Sequence, residues 1–137
     1  MAPSDRYDPP VVRLKSLRYS RWRIAFAVTS VLALAAGLFI GGAQPVAVGL
    51  IPPPWDKLAH ACVFASIAFL LHGGLRLRAW LAVLLAVSIG AADEIHQIFL
   101  PGRSAGMDDW IADLFGALLG VLIVGLLRRK FLPPRVS

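Results

Sequence analysis

The chain has 137 residues, 58% of them hydrophobic, and a formal net charge of +6 at pH 7. A soluble domain is usually about half apolar, so this excess, gathered in long runs, excludes an ordinary soluble protein and predicts an integral membrane protein. The single cysteine, Cys62, excludes an internal disulfide, and its place inside an apolar run indicates a packing role.

Four apolar stretches are long enough to cross a bilayer, which takes about 20 helical residues. In chain order they are residues 24–43, 57–75, 79–92 with a helical continuation to residue 99, and 110–127. Proline and glycine separate them, because proline cannot continue a helix, at Pro45 and at residues 52–54, 73–74, 101–102 and 133–134. We therefore predict an all-α membrane protein. Its four transmembrane helices would form a compact bundle over residues 24–127, between basic tails at residues 1–23 and 128–137.

The charges separate along this predicted bundle. Twelve of the fourteen basic residues lie before the first helix, between the second and third, or after the fourth: Arg6, Arg13, Lys15, Arg18, Arg21, Arg23, Arg76, Arg78, Arg128, Arg129, Lys130 and Arg135. The positive-inside rule then places both termini in the cytoplasm. The excess of basic residues therefore indicates how the protein is oriented in the membrane and where it contacts lipid headgroups. We exclude nucleic-acid binding, because no recognition motif accompanies the charge.

Residues 21–43 also have the basic start and apolar run of a cleaved signal peptide. The apolar run has about 20 residues, however, whereas a signal core usually has about 7–15. Its removal would also leave three spans and place the two termini on opposite sides. We expect the segment to be retained as the first transmembrane helix.

The second predicted helix begins with three polar residues, Asp56, Lys57 and His60. Asp56 and His60 are four residues apart and share a face. Each residue also has a structural interpretation. Asp56 suits a helix N-cap, Lys57 can reach the headgroups, and His60 can bind a neighbouring helix through a hydrogen bond.

The third predicted helix ends with Glu94 and Gln97, which are three residues apart on one face with Gly90. A carboxylate below the membrane interface must be paired or protonated. Glu94 is therefore the strongest candidate for a functional residue. We expect Asp93 and His96 to occupy a solvated rim.

Arg103 lies in the loop before the fourth helix. Its planar guanidinium can bind a carboxylate or a phosphate through two hydrogen bonds. Two interpretations stay open: Arg103 binds an anionic ligand, or it neutralises Glu94 or Asp109.

The fourth predicted helix opens with Asp108 and Asp109, one of which suits its N-terminal cap. Asp113 lies four residues after Asp109, and Gly116 and Gly120 follow on the same face. Small residues at this spacing let two membrane helices approach closely, so we predict a packing role for both glycines.

These motifs resemble those of the VanZ-like family over residues 55–125. The family has a DKxxH helix start, an ExxQ pair, a proline-glycine-arginine turn, and an aspartate followed four residues on by Asn or Asp and then GxxxG. Here they match Asp56, Lys57, His60, Glu94, Gln97, Pro101, Gly102, Arg103, Asp109, Asp113, Gly116 and Gly120. Asparagine is the commoner residue at the place of Asp113, so this chain departs from the pattern by one added acid.

The resemblance implies a small multi-pass protein of the bacterial cytoplasmic membrane. The family takes its name from a member linked to resistance to the glycopeptide antibiotic teicoplanin, and it implies no particular reaction. We expect a polar site at the extracytoplasmic face that binds or processes an anionic lipid-linked or envelope substrate. Whether the protein is an enzyme stays open.

In this hypothesis Glu94, His60 and Asp109 are the candidate catalytic residues, as general base, general acid and orienting group. No GxSxG nucleophile motif is present in the sequence, so a hydrolysis would use activated water. We expect no cofactor and no metal, because HExxH or a similar spacing is absent. A divalent cation held by Asp109, Glu94 and His60 is the alternative. The expected substrate-binding residues are Lys57, Arg103, Asp56 and Gln97.

Two other functions stay open. The first is a non-catalytic resistance or envelope factor that binds a lipid intermediate or an antibiotic, or tunes a protein partner. The second is a proton or ion carrier that uses Glu94 and His60, although the polar residues stay at one edge of the predicted membrane. The expected partners are membrane lipids, with a lipid-linked envelope intermediate or a glycopeptide as ligand.

Overall fold

The computed structural model describes the backbone of residues 10–131 and the side chains of residues 21–131. Four long helices make up this part of the chain, which contains no strand. They are α1 (Pro10–Ala36), α2 (Trp55–Phe69), α3 (Ala79–Ile98) and α4 (Met107–Phe131). A π-helical turn extends α1 (Gly37–Gly41) and α2 (Leu70–Gly74), and a short 3₁₀ turn follows at Pro45–Ala47. The predicted all-helical class and its four long apolar helices are confirmed.

Each helix has a segment that is long and apolar enough to cross a membrane. These segments are Arg21–Gly41, Trp55–Gly74, Ala79–Ile98 and Met107–Phe131. Large apolar side chains such as Trp80, Phe115 and Leu122 point away from the bundle and are mostly exposed. Such a surface suits a lipid environment, because water would make the exposure of so much apolar area costly.

Glycines bring α4 into close contact with α2. A Cβ atom placed on Gly116 would overlap the carbonyl oxygen of Ala61, and one on Gly120 would overlap the carbonyl oxygen of Ala65. The two backbones therefore touch where no side chain intervenes, which is the usual role of small residues between membrane helices. The predicted packing role of these glycines is confirmed.

The core between the two ends of the bundle is apolar. Its buried residues come from α2, α3 and α4, and they are Phe64, Ile67, Ala68, Leu71, Ala82, Ala86 and Ala117. Cys62 lies outside this core and is exposed, so the expected packing role of its side chain is wrong.

The polar side chains gather at one end of the bundle, where α2 and α4 begin and α3 ends. We call this the polar end; its residues are Asp56, Lys57, His60, Asp93, Glu94, Gln97, Arg103, Asp108, Asp109 and Asp113. The opposite, basic end carries Arg23, Arg76, Arg78, Arg128, Arg129 and Lys130. The cytoplasmic placement of the basic end and the division into a bundle and two tails stay predictions. Parts of both tails, residues 1–9 and 132–137, lie outside the described residues.

Candidate functional site

Lys57 joins the first turn of α2 to the first turn of α4. Its Nζ lies 2.7 Å from Asp108 Oδ2, 3.2 Å from Asp109 Oδ1 and 3.5 Å from Asp56 Oδ2. We call these four residues the Lys57 network. Asp56 does not cap the helix: its Oδ1 accepts a hydrogen bond from the Lys57 backbone N–H at 2.8 Å, and the N-cap position is Pro54. Because three carboxylates already surround the ammonium, Lys57 is held as a bridge between two helices.

His60 is held by a buried carboxylate of α4. Its Nδ1 lies 2.9 Å from Asp113 Oδ1, and Asp113 is fully buried. When Asp113 is ionised, its carboxylate only accepts hydrogen bonds; Nδ1–H then donates and Nε2 is left for another partner. Gly90 of α3 makes the room, because a Cβ atom there would overlap Asp113 Oδ2. Three helices thus contribute to the orientation of one imidazole ring.

Two adjacent carboxylates of α3 face the same region. Asp93 is buried and accepts a hydrogen bond from Gln97 Nε2 at 2.8 Å. Glu94 is half-buried, and its Oε2 accepts a hydrogen bond from the backbone N–H of Gly106 at 2.7 Å. Its other oxygen, Oε1, is buried and has no hydrogen-bond partner among the described residues. Glu94 is therefore tied to the loop through one oxygen and keeps the other free.

These side chains meet at one point inside the polar end. One ligand atom from each of His60, Asp93 and Glu94 lies within 4.8 Å of the other two. Together with Asp113, which holds His60, we call them the histidine–carboxylate cluster. The cluster is suited to proton transfer or to holding a cation, since it combines an oriented imidazole with several carboxylates.

The expectation that Asp93 occupies a solvated rim is wrong, because the residue is buried. The same expectation for His96 stays a prediction, since that residue is half-buried. Asp93 belongs to the buried stripe of α3, which also contains Ala82, Ala86, Gly90 and Gln97. The sequence contains a signal for the burial of Asp93, since residues 82, 86, 90, 93 and 97 recur at helical intervals on one face and the first three are small.

His96 packs against the end of α1 instead. Its ring centroid lies 5.4 Å from that of Phe39, and the residue is half-buried. Its Nδ1 is buried without a hydrogen-bond partner among the residues described. The ring contact described for His96 is therefore with the end of α1.

Arg103 takes a different position from the other candidate residues. Its guanidinium points toward the end of α1, where Nη2 would lie 3.2 Å from a Cβ atom placed on Gly42. No acidic residue of the described chain pairs with it, and its buried Nε has no hydrogen-bond partner there. The interpretation that Arg103 neutralises Glu94 or Asp109 is therefore wrong. The guanidinium keeps its capacity for an external anion.

An apolar groove adjoins the histidine–carboxylate cluster. It has a volume of about 350 Å³ and runs between α3 and the loop and first turn of α4. Its lining residues are Ala91, Glu94, Ile95, Ile98, Ala105, Gly106, Met107 and Trp110. Glu94 belongs both to this lining and to the cluster, so the groove reaches the polar site through that carboxylate.

The structure thus brings most of the candidate residues together in two neighbouring groups. Lys57, Asp56 and Asp109 belong to the Lys57 network, and His60 and Glu94 belong to the cluster. Gln97 supports the cluster through Asp93. Sequence reasoning assigned no site role to Asp93, Asp108 or Asp113, although all three make specific contacts here.

A family model described as VanZ/LLP1 matches residues 11–128. The chain belongs to the VanZ/LLP1 family. The match includes all the residues of both polar groups and extends beyond the motifs to α1. With its four candidate spans, the chain is a multi-pass membrane protein of this family. No curated protein and no solved structure matches it significantly.

Proposed function

We propose that this VanZ-family protein binds and processes an anionic, lipid-linked substrate of the cell envelope at its polar end, on the extracytoplasmic side of the membrane. The proposal depends on one observation: Glu94 both lines the apolar groove and belongs to the histidine–carboxylate cluster. A molecule with an apolar chain and a polar headgroup would place each part against matching surface there.

The groove supports the apolar part of this substrate. Its largest side chains are Ile95, Ile98, Met107 and Trp110, and the first three are mostly exposed on the outer surface of the bundle. A lipid chain can therefore enter from the side, from within the membrane, without crossing the Lys57 network. Burial of the lipid chain against these side chains adds affinity only to the extent that the lipid chain leaves water. The groove therefore positions the lipid as much as it adds binding free energy.

Arg103 supports the anionic part. It is the arginine of the polar end, it has no carboxylate partner among the described residues, and a guanidinium binds phosphate oxygens in pairs. Lys57 is surrounded by three carboxylates, so we assign it and Asp109 the task of fixing α2 against α4. Asp56 and Gln97 act in the same way, through Lys57 and Asp93.

The cluster supports the chemical step. His60 Nε2 faces no protein donor that the structure describes, while Nδ1 is fixed by Asp113; an oriented imidazole of this kind is suited to general acid–base catalysis. Glu94 supplies a second group with a free oxygen. We assign these two residues to the activation of water and the protonation of the leaving group in a hydrolysis.

A proton or ion carrier receives less support. The described core between the two ends consists of Phe64, Ile67, Ala82 and similar apolar residues. Ser66 and Ser88 bind the backbone of their own helices. A carrier needs polar groups through the whole thickness of the membrane, and this bundle concentrates them at its two ends.

The experiment that tests the proposal is a mass-spectrometric search for lipid copurified with the protein. Wild type, Arg103→Ala, Glu94→Gln and the control Arg129→Ala, an exposed arginine of the basic end, are prepared in parallel. We expect wild type and the control to carry a phosphate-bearing lipid. We expect Arg103→Ala to retain at most about a tenth of it, because a hydrogen bond to a charged group contributes about 1.5–3 kcal/mol.

Glu94→Gln separates catalysis from binding, because the amide keeps the shape of the side chain and removes its charge. If the protein is an enzyme, this variant accumulates bound substrate and loses turnover of the extracted lipid. If it is a non-catalytic binder, wild type turns over nothing and Glu94→Gln changes only the amount bound. Equal lipid content in Arg103→Ala and wild type would contradict the proposed binding site.

A further inference from the structure

Three carboxylates of the histidine–carboxylate cluster have no lysine or arginine partner among the described residues. They are those of Asp93, Glu94 and Asp113. The nearby ammonium of Lys57 is bound to a different set of acids. Carboxylates inside a membrane-spanning bundle are costly unless a cation or a proton compensates them. One imidazole does not balance three acids, so the site calls for a further positive charge.

The spacing of the cluster fits a single metal ion. Ligand atoms of His60, Asp93 and Glu94 lie within 4.8 Å of one another. Two ligands on opposite sides of one ion are separated by about 4.4 Å, twice a metal–oxygen bond of about 2.2 Å. Side-chain displacements of a few tenths of an ångström bring the three ligand atoms within such a distance of one another.

Asp113 supplies an independent observation. It is fully buried, its Oδ1 binds His60 Nδ1, and its Oδ2 has no hydrogen-bond partner among the residues described. A carboxylate on one nitrogen of an imidazole whose other nitrogen is free is the arrangement by which proteins orient metal-binding histidines. The buried, unpartnered Oε1 of Glu94 provides a second ligand atom without any bond to break.

We propose that His60 Nε2, Asp93 and Glu94 bind one divalent cation of the transition series, such as Mn²⁺ or Zn²⁺. Imidazole combined with carboxylates suits these ions. Asp113 orients His60, Gln97 orients Asp93, and the Gly106 N–H orients Glu94. Three protein ligands leave a position for water or for a phosphate oxygen.

The inference deepens the proposed function and rests on it for the identity of the incoming oxygen. With a cation bound, His60 and Glu94 would act as its ligands, and the cation would take over from them the activation of water. A bound cation would neutralise the cluster and polarise a phosphate that Arg103 holds from the loop. The cation site itself depends on the four residues of the cluster and on the groups that orient them, and not on Arg103. Metal binding and lipid binding can therefore be tested separately on the same preparation.

The test uses full-length protein in detergent, freed of metal by a chelator and then titrated with Mn²⁺ or Zn²⁺. We expect one ion per chain, measured by isothermal titration and by elemental analysis after gel filtration. Glu94→Gln and His60→Asn should weaken affinity at least about 100-fold. Asp113→Asn should weaken it about 10–100-fold, the usual effect of removing such an outer partner. His72→Asn, which changes a histidine that contacts Arg128 at the opposite, basic end, is the matched control for His60→Asn and should bind as wild type does.

Cobalt spectroscopy on the wild type keeps the test independent of variants that fold poorly. Co²⁺ should give d–d absorption bands of an imidazole and carboxylate site, and Zn²⁺ should displace it. Binding below one ion per chain, or equal binding in His60→Asn and His72→Asn, would overturn the inference and identify adventitious ions or protons as the compensating charge. If no ion binds while the wild type still carries a phosphate-bearing lipid, the proposed function stands and the cation site fails. If metal binds while no phosphate-bearing lipid is found, the reverse holds.

Discussion

The contact between α2 and α4 can be tested by adding one methyl group. In Gly116→Ala the new Cβ atom would overlap the Ala61 carbonyl oxygen and would lie 2.8 Å from the Cα and 2.9 Å from the carbonyl carbon of the same residue. All three are backbone atoms, so no side chain can rotate away. The helices have to separate by roughly half an ångström or more to restore normal contact.

The expected loss of folding free energy in Gly116→Ala comes from the helix contacts that this separation weakens. Overpacking of this kind costs about 1–3 kcal/mol, which corresponds to a factor of about 5–150 in the unfolding equilibrium. Asp113 lies one turn before Gly116 on α4, and its partner His60 precedes Ala61 on α2. The same displacement should therefore stretch the bond between His60 and Asp113 and weaken ligand binding at the polar end.

Gly125→Ala provides the matched control, because it is the same change on the same helix and a Cβ atom there has nothing within 4 Å. Thermal unfolding in detergent is measured for both variants, together with the amount of copurified lipid. We expect Gly116→Ala to unfold at a lower temperature and Gly125→Ala to unfold at or above the temperature of wild type. Equal stability of the two variants would refute the close contact between the helix backbones.

The remaining predictions concern the cluster, the network and the orientation in the membrane. Gly90→Ala places a Cβ atom against the carboxylate of Asp113, so we expect a lower unfolding temperature and a loss of metal binding; unchanged metal binding in this variant would contradict the position of Asp113. Lys57→Met removes the bridge between α2 and α4, and we expect a decrease in unfolding temperature that becomes smaller as salt screens the wild-type ion pairs; a decrease that is independent of salt would argue against an electrostatic role. A cysteine introduced by Ser104→Cys in a Cys62→Ser background should react with an impermeant thiol reagent added outside intact cells, since we expect the polar end to face away from the cytosol; reaction only after lysis would place this end in the cytoplasm.

Most of the fold could be predicted from the sequence because the membrane imposes simple requirements on it. A span needs about 20 apolar residues, and the four runs supply them between proline and glycine breaks. A close helix contact at Gly116 and Gly120 was also accessible, since they recur at the spacing that brings two helices together. The sequence did not indicate that the partner helix is α2. The π-helical turns at the ends of α1 and α2 had no comparable signal, since they depend on local adjustment of the backbone.

The candidate site was only partly accessible, for a physical reason. Helix-end positions follow from the order of the spans, so the gathering of Lys57, His60, Glu94 and Asp109 at one end could be predicted. The rotation of α3 about its own axis could not be deduced from its acids alone. That rotation buries Asp93 and leaves Glu94 at the edge of the groove. The small residues Ala82, Ala86 and Gly90 indicate which face of α3 is buried, and Asp93 lies on that face. Their packing outweighs the preference of a lone acid for water.

The polar end separates its charges in a way that bears on how the site works. Lys57 is committed to the acids at the entrance of α2 and α4, and Arg103 points to the end of α1. Neither cation reaches the acids around His60. A site built only for structural stability would place a cation against its buried carboxylates, because a buried charge without a partner weakens the fold. The free ligand atoms of His60 and Glu94 lower the stability of the bundle. They also form a site that can bind an external cation or substrate. The arrangement is therefore better explained by binding at the polar end than by a contribution of these residues to the stability of the bundle.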